Sequence, residues 1–171
     1  MKTTHKLLIL VLLGLSFACE RWKETNSEYA LPQRITDYAE ILTTEQEDSL
    51  LTIMEDLERK IGSQIGILTI ATPNGRKIEE LSFKTFEATG LGRATHNDGV
   101  LITVAYEDRQ MRIEVGTGLE NILEDEIAAR IIRDDMAPKF VESKFGFGLY
   151  IAIKKIAKLI EDNEHKIGQA R

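Results

Sequence analysis

The sequence predicts an α/β fold, a three-layer α-β-α sandwich around a small mixed sheet. Two apolar, β-branched runs, residues 64–71 and 100–105, are separated by a stretch with helical spacing. A strand–helix–strand order implies a right-handed crossover and a parallel pair of strands. A short polar link then leads to an alternating stretch, 111–115, which must pair antiparallel with its predecessor. Helical patterns before and after this unit supply layers for both faces of the sheet.

Apolar residues at spacings of three and four predict four helices. The first begins at a capping box formed by Thr44 and Glu47 and ends at Gly62. The second stops near Gly90, and the third is broken before Pro138, because the residue before a proline disfavours helix. The apolar faces are Leu50, Ile53, Met54, Leu57 and Ile61; Ile78, Leu81 and Phe86; Leu119, Leu123, Ile127 and Ile131; and Leu149, Ile153, Ile156 and Ile160.

The first eighteen residues are predicted to be a lipoprotein-type signal peptide. Lys2 and Lys6 form a basic region before an apolar run, 7–15, that is too short to span a bilayer. The following L-S-F-A-C resembles a bacterial lipobox, which makes Cys19 the predicted lipidation site. The alternative is a plain secretory signal with an incidental cysteine. Either reading predicts an extracytoplasmic protein of a bacterial envelope or periplasm, and the first predicts one anchored to a membrane.

The remaining chain is predicted to form one domain. Residues 19–33 are polar and serve as a tether, 34–163 form the domain, and 164–171 form a polar tail. Cys19 is the only cysteine of the 171 residues, so the chain has no disulfide and no cysteine-based zinc site.

The charge of the chain excludes one class of partner. Apart from Lys2 and Lys6 of the leader, 20 basic and 28 acidic residues remain, a formal charge of −8. Non-specific nucleic-acid binding needs clustered lysine and arginine, so no nucleic-acid partner is expected. An acidic chain is compatible with a cation or with a basic partner.

Three motifs give the chain a family resemblance. They are I-T-D-x-A-x-I-L at 35–42, D-G-V-L-I at 98–102, and D-R-x-x-R-I-E-V-G-x-G-L-E at 108–120, followed by Pro138 and Phe140. In this order the motifs resemble the TPM domain, a family named after thylakoid-lumen, photosystem-repair and acetylcholine-receptor-modulator members. The resemblance implies an α-β-α sandwich outside the cytoplasm. Family members have been linked to phosphatase activity, to calcium binding, and to assisting or repairing membrane complexes.

The carboxylates around the predicted hairpin predict a cation site. Asp98 begins one strand, and Glu114, Glu120 and Asp125 lie at or beyond the end of its antiparallel neighbour, so these acids meet at one end of the hairpin. Carboxylates together with backbone carbonyls are the ligands that Ca²⁺ prefers. The predicted metal ligands are Asp98, Asp125, Glu114, Glu120 and Asp37, with Asp98 and Asp125 foremost.

Each of these acids also has a separate structural explanation. Asp125 would favourably face a helix N-terminus, Asp98 with Gly99 is good turn chemistry, and Glu114 suits a solvated strand face. A second acidic set, Glu107 and Asp108, lies at the opposite end of the hairpin, where ligands of α/β sheets commonly bind. We interpret that set as a turn with a surface ion pair.

Nucleophilic and nucleotide chemistry are poorly supported. The sequence has no G-x-S-x-G elbow and no pair of histidines at metal-ligand spacing, and His96 is interpreted as a solvated loop residue. The Gly116–Gly118 turn lacks the lysine of a P-loop and the third glycine of a dinucleotide motif, so no nucleotide is expected.

The leading functional hypothesis is a membrane-tethered accessory domain that binds a divalent cation and assists a membrane or envelope protein complex. One alternative is a metal-dependent acid phosphatase acting on phosphomonoesters, in which Asp98 or Asp125 is the base. The other is a chaperone-like interaction module, which requires an exposed apolar patch.

Overall fold

The computed structural model describes residues 29–169. The predicted leader, the lipidation site at Cys19 and the first part of the tether lie outside the described residues. The described chain folds around one four-stranded sheet with the order β1-β2-β3-β4. The strands are β1, Ile35–Asp37; β2, Gln64–Ile70; β3, Gly99–Ala105; and β4, Gln110–Val115.

The sheet is mixed, as predicted. β1, β2 and β3 are parallel, and β4 is antiparallel to β3. The register aligns Ile35, Ile67, Ile102 and Ile113 in one row across all four strands. All four isoleucines belong to the main hydrophobic core. We call the end of the sheet where β1, β2 and β3 finish its carboxyl end, and the end where they start, and where β4 finishes, its amino end.

Helices cover both faces of the sheet, so the predicted three-layer fold is confirmed. The α-helices are α1, Thr44–Ile61; α2, Ile78–Thr89; α3, Asp125–Arg130; α4, Ala137–Val141; and α5, Phe145–Asp162. Helices α1 and α5 bury their apolar stripes in the main core. On the other face α2 covers a smaller cluster of Leu68, Leu91 and Leu101, and its Ser82 hydroxyl shares a buried 2.9 Å hydrogen bond with the Thr103 hydroxyl.

The start of α1 differs from the prediction by one residue. Thr43, not Thr44, is the N-cap, and its hydroxyl accepts a hydrogen bond from the backbone N–H of Gln46 at 3.3 Å. The Gln46 side-chain oxygen accepts one from the Thr43 N–H at 3.0 Å, which completes the capping box. Adjacent threonines, each followed three residues later by Gln or Glu, offer two equivalent registers to sequence reasoning.

The third predicted helix also differs. The α-helix begins only at Asp125, and Leu119 lies in a separate 3₁₀ helix, Thr117–Leu119. The helix is not broken before Pro138, since a π-helical segment, Ile131–Met136, joins α3 to α4. There the N–H of Ala137 reaches back five residues to the carbonyl of Ile132. Pro138 follows directly in the first turn of α4, so the widened segment lies just before the residue that has no backbone N–H.

No helix in the described part of the chain is long and apolar enough to cross a membrane.

Candidate functional site

A cleft of about 700 Å³ opens at the amino end of the sheet. Its walls are α2, the loop before β3, the α2-covered face of β4, and the connection from β4 to α3. Five carboxylates line the cleft, Glu87, Glu114, Glu120, Glu124 and Asp125. Only two basic side chains do so, Arg93 and Arg112. Two aromatic residues, Phe83 and Phe86, form part of the apolar wall together with aliphatic residues such as Leu91 and Leu123.

The structure brings three of the predicted metal ligands to this cleft. Glu114 lies on β4, Glu120 follows the 3₁₀ turn, and Asp125 is the first residue of α3. They meet because β4 runs antiparallel to β3 and therefore delivers the following connection to the amino end. Glu120 and Asp125 are exposed, whereas Glu114 is buried.

Asp98 lies fully buried beside the cleft. Its Oδ1 accepts a hydrogen bond from the backbone N–H of Arg93 at 2.6 Å. Its Oδ2 accepts from Nε and Nη2 of Arg93 at 2.8 and 2.5 Å, and from the Ser63 hydroxyl at 3.0 Å. Burial raises the pKa of Asp98, but the hydrogen bonds from Arg93 and Ser63 outweigh burial, so the net pKa lies below the usual value. Asp98 therefore anchors the loop that begins at Arg93.

Glu114 is held by its neighbour two residues away on the same face of β4. Nε and Nη2 of Arg112 donate to the two carboxylate oxygens of Glu114 at 2.9 and 3.3 Å. This hydrogen bonding raises the pKa of Arg112. Glu114 is thus a buried member of an ion pair rather than part of the solvated strand face considered above.

Asp37 lies at the carboxyl end of the sheet, away from the cleft. β1 runs parallel to β2 and β3, so its last residue pairs with Thr69 near the end of β2. The Asp37 carboxylate accepts a hydrogen bond from the backbone N–H of Leu42 at 2.9 Å and another from the Thr69 hydroxyl. Asp37 closes the turn into α1, and the structure does not join it to the other predicted ligands.

The carboxylates of the cleft do not converge on one point. Within residues 29–169, no group of three or more His, Cys, Asp or Glu side chains is arranged to hold a metal ion. The donors nevertheless have the chemistry that calcium favours, namely exposed carboxylates next to the carbonyl groups of a glycine turn.

The glycines of the turn after β4 allow two backbone segments to touch. The N–H of Gly116 donates to the carbonyl of Gly99 at 2.8 Å, and that of Gly118 donates to the carbonyl of Asn97 at 3.0 Å. A Cβ atom on Gly118 would lie 1.7 Å from the carbonyl oxygen of His96. Close approach therefore explains these glycines without a phosphate ligand.

The polar tail folds back against the same turn, which sequence reasoning missed. The N–H of Gly168 donates to the carbonyl of Gly118 at 3.0 Å, and the side-chain amide of Asn121 donates to the carbonyl of Gln169 at 2.6 Å. The sequence feature that could have indicated this contact is Ile167, an apolar residue in the polar tail that packs against the main core.

Sequence reasoning also missed both arginines of the cleft. Arg112 was present in the motif at 108–120, but nothing in its neighbourhood showed that it faces a cleft. Arg93 lies five residues before Asp98 in a loop, and their pairing depends on a turn in which the N–H groups of His96 and Asn97 donate to the Arg93 carbonyl at 2.9 and 2.8 Å.

Comparisons with known proteins agree with the fold. The family model of the TPM domain matches residues 35–159. Three solution NMR structures are similar in fold. The N-terminal domain of a protein from P. gingivalis has 24% sequence identity and a TM-score of 0.71, over 77% of this chain and 83% of that one. The BA42 protein from the psychrophilic bacterium Bizionia argentinensis has 21% identity and a TM-score of 0.62, over 71% and 82%. The N-terminal domain of the cg2496 protein from Corynebacterium glutamicum has 13% identity and a TM-score of 0.59, over 74% and 79%. Comparison with curated proteins gave no match.

Proposed function

This chain belongs to the TPM domain family, and from that premise we propose that it is an accessory domain tethered to a membrane outside the cytoplasm. In this proposal the acidic cleft binds a divalent cation, Ca²⁺ before others, and the domain assists a membrane or envelope protein complex.

The observation that supports cation binding is the charge of the cleft. Arg93 is engaged by the buried Asp98, and Arg112 is engaged by Glu114. Glu87, Glu120 and Asp125 also line the cleft and give it an excess of negative charge, which a concave wall focuses and which attracts cations.

Glu120 and Asp125 are the side chains proposed to hold the ion. Both are exposed and line the same cleft, and only four residues separate them in sequence. Backbone carbonyls of the turn at 116–118 would add oxygen ligands, since Ca²⁺ takes six to eight of them. Asp98 is left out of this ligand set, because its oxygens already accept hydrogen bonds from Arg93 and Ser63. Its role in the proposal is to anchor the loop at the wall of the cleft. Bound calcium is therefore expected to order the 116–125 connection.

Amide chemical shifts followed during a Ca²⁺ titration test the site. We expect shifts at 97–99 and 114–125, and their loss in the double variant Glu120→Gln with Asp125→Asn. The matched control, Glu107→Gln with Asp108→Asn, removes two exposed acids at the carboxyl end and should leave the titration unchanged. Shifts that avoid the cleft, or that survive the first double variant, would contradict the proposal.

The tether has its own test. Cells fed a labelled fatty acid should incorporate the label into the wild-type chain and not into the Cys19→Ser variant. Equal labelling of the two chains, or labelling of neither, would rule out lipidation at Cys19.

A metal-dependent phosphatase is a second candidate, because Arg93 and Arg112 both line the cleft. Nε and Nη2 of each arginine already donate to a carboxylate, so a phosphate would be held through Nη1, and a bound cation would polarise it while Asp125 acts as base. This candidate predicts that Asp125→Asn abolishes phosphatase turnover in rigorously purified protein while Glu107→Gln retains it. Turnover that survives Asp125→Asn would indicate a contaminant or another site.

A further inference from the structure

The large hydrophobic side chains exposed on the surface are unevenly distributed. Among residues 29–169 there are five of them, and four are Tyr38, Tyr106, Val141 and Phe147. Val141 is the most exposed of all, at 86%. The fifth, Phe83, is 55% exposed and lies at the rim of the acidic cleft.

The topology places the first two of these residues at the carboxyl end of the sheet. Tyr38 directly follows β1, and its N–H donates to the carbonyl of Thr69 at 3.0 Å. Tyr106 directly follows β3, and its N–H donates to the carbonyl of Ile70 at 2.9 Å. Since these strands are parallel, both tyrosines project beyond the same end of the sheet.

Val141 and Phe147 lie on the Tyr106 side of this end, where α5 begins, whereas Tyr38 lies on the α2-covered face in a pocket with Leu81. A groove of about 630 Å³ is lined by Tyr106, Val141 and Phe145, among others. The Phe145 ring lies edge-on to the Tyr106 ring, with centroids 5.3 Å apart, and fixes the start of α5 at this end. Phe147 is in the first turn of α5, with the ammonium group of Lys139 6.0 Å from its ring centroid. We call the set Tyr38, Tyr106, Val141 and Phe147 the apolar end.

The chain also enters the domain at the apolar end. Tyr29, the first described residue, accepts a 3.0 Å hydrogen bond on its hydroxyl from Arg76, which lies in the loop after β2. Tyr29 and Tyr38 line the same small pocket. Tyr29 is ten positions after Cys19, and a fully extended chain of that length spans at most about 35 Å. An anchor on Cys19 would therefore hold the apolar end near the lipid, whereas the acidic cleft lies at the opposite end.

We propose that the apolar end is a membrane-docking surface that rests in the headgroup layer of a lipid bilayer. The proposal rests on the tether of the proposed function, although not on its cation site. Aromatic side chains accompanied by lysine are typical of the membrane interface, where the ring reaches the acyl boundary and the ammonium stays in water. Arg109 lines the groove, as does Glu107, and Lys144 beside it is paired with Glu142 at 2.8 Å, so the apolar side chains, and not a net positive charge, carry the proposed contact with lipid.

Fluorescence quenching by lipid tests the docking surface in the full chain. Trp22 is the only tryptophan, so a Trp22→Phe background allows one reporter at a time. The reporter Val141→Trp tests the apolar end, and Phe83→Trp at the cleft rim is its matched control. Both positions are already exposed, so neither substitution disturbs the core. The full chain is reconstituted with vesicles of phosphatidylethanolamine and phosphatidylglycerol whose acyl chains are brominated.

We expect the emission of Val141→Trp to shift to the blue and to lose most of its intensity, while that of Phe83→Trp stays red and unquenched. Adding Phe147→Glu to the Val141→Trp chain should reverse the quenching. Equal quenching at both positions, or none at position 141, would overturn the proposal. A blue shift at 141 without quenching would also overturn it, since it would identify a protein surface, such as a second copy, as the occupant. Fatty-acid labelling of Cys19 reports the tether separately, so its failure is distinguishable from failure of the docking surface.

Discussion

Asp98→Asn is the substitution that separates a structural role for this residue from a ligand role. The wild-type carboxylate accepts four hydrogen bonds, three of them from Arg93 and one from Ser63. An amide of the same shape keeps one acceptor oxygen and turns an NH₂ group towards N–H donors of Arg93, which cannot accept from it. The guanidinium group of Arg93 loses its counter-ion.

The expected cost follows from the burial of the pair. Removing one partner of a buried ion pair costs about 3–5 kcal/mol of the free energy of unfolding. Asp98 is fully buried, but the side chain of Arg93 is 38% exposed and recovers part of its hydration. We therefore expect Asp98→Asn to cost about 3 kcal/mol at neutral pH, at the lower end of that range.

The pH dependence of this loss has a definite sign. The pKa of Asp98 is lowered in the folded protein, so the carboxylate contributes its full stabilisation above the unfolded pKa of about 3.9. That contribution is lost as the pH falls through the still lower folded pKa. The difference between wild type and variant should be constant from neutral pH to about pH 5 and shrink below about pH 4.

Urea unfolding monitored by circular dichroism measures this difference. Asp108→Asn is the matched control, since it changes the same chemical group at an exposed position in the β3–β4 link and should cost under about 0.5 kcal/mol. The loss for Asp98→Asn should be the same in Ca²⁺ and in a chelator. A loss below about 1 kcal/mol, or one that appears only with Ca²⁺, would refute the structural role and restore Asp98 as a ligand.

Two further predictions concern the backbone. Gly118→Ala would bring a Cβ to 1.7 Å from the carbonyl oxygen of His96, so the contact between the two loops must open and the melting temperature should fall strongly. Gly75→Ala is the control, because a Cβ there meets no atom within 4 Å. This control bears only the strain of its φ of +79°, about 1–2 kcal/mol, and its melting temperature should fall much less. Similar melting temperatures for the two variants would show that the turn is not tightly packed. Thr43→Ala should cost about 1 kcal/mol through loss of the N-cap, whereas Thr44→Ala should have little effect in urea unfolding. The reverse order of the two threonine variants would restore the capping register predicted from sequence.

The fold was predictable because its signals are local. The helical stretch between the apolar runs of β2 and β3 makes these strands parallel, and the short link to β4 makes β4 antiparallel to β3. The mixed sheet therefore follows from the order of the elements. The π-helical segment was not predictable, because the proline rule anticipates a break before Pro138 and takes no account of a helix that widens by one residue. Hydrogen-bond registers of that kind depend on what the helix packs against.

The candidate site was predictable only in part. Glu114, Glu120 and Asp125 meet because of the antiparallel hairpin, which the sequence indicates. The capture of Asp98 by Arg93 depends on a loop conformation with Asn97 at a φ of +48°, which no periodic pattern encodes. Asp37 was misplaced because β1 has only three residues, too few for a strand to be identified, so its parallel direction was not inferred.

The length of β3 sets the distance between the acidic cleft and the apolar end. Its seven residues separate the amino end from the carboxyl end by about 23 Å. The electrostatic screening length in physiological salt is about 8 Å, so the potential of anionic lipids at one end has largely decayed at the other. A cation in the cleft would then respond to the bulk concentration of the compartment and not to the ions that accumulate at the lipid surface. The domain would act as a spacer as well as a binding unit.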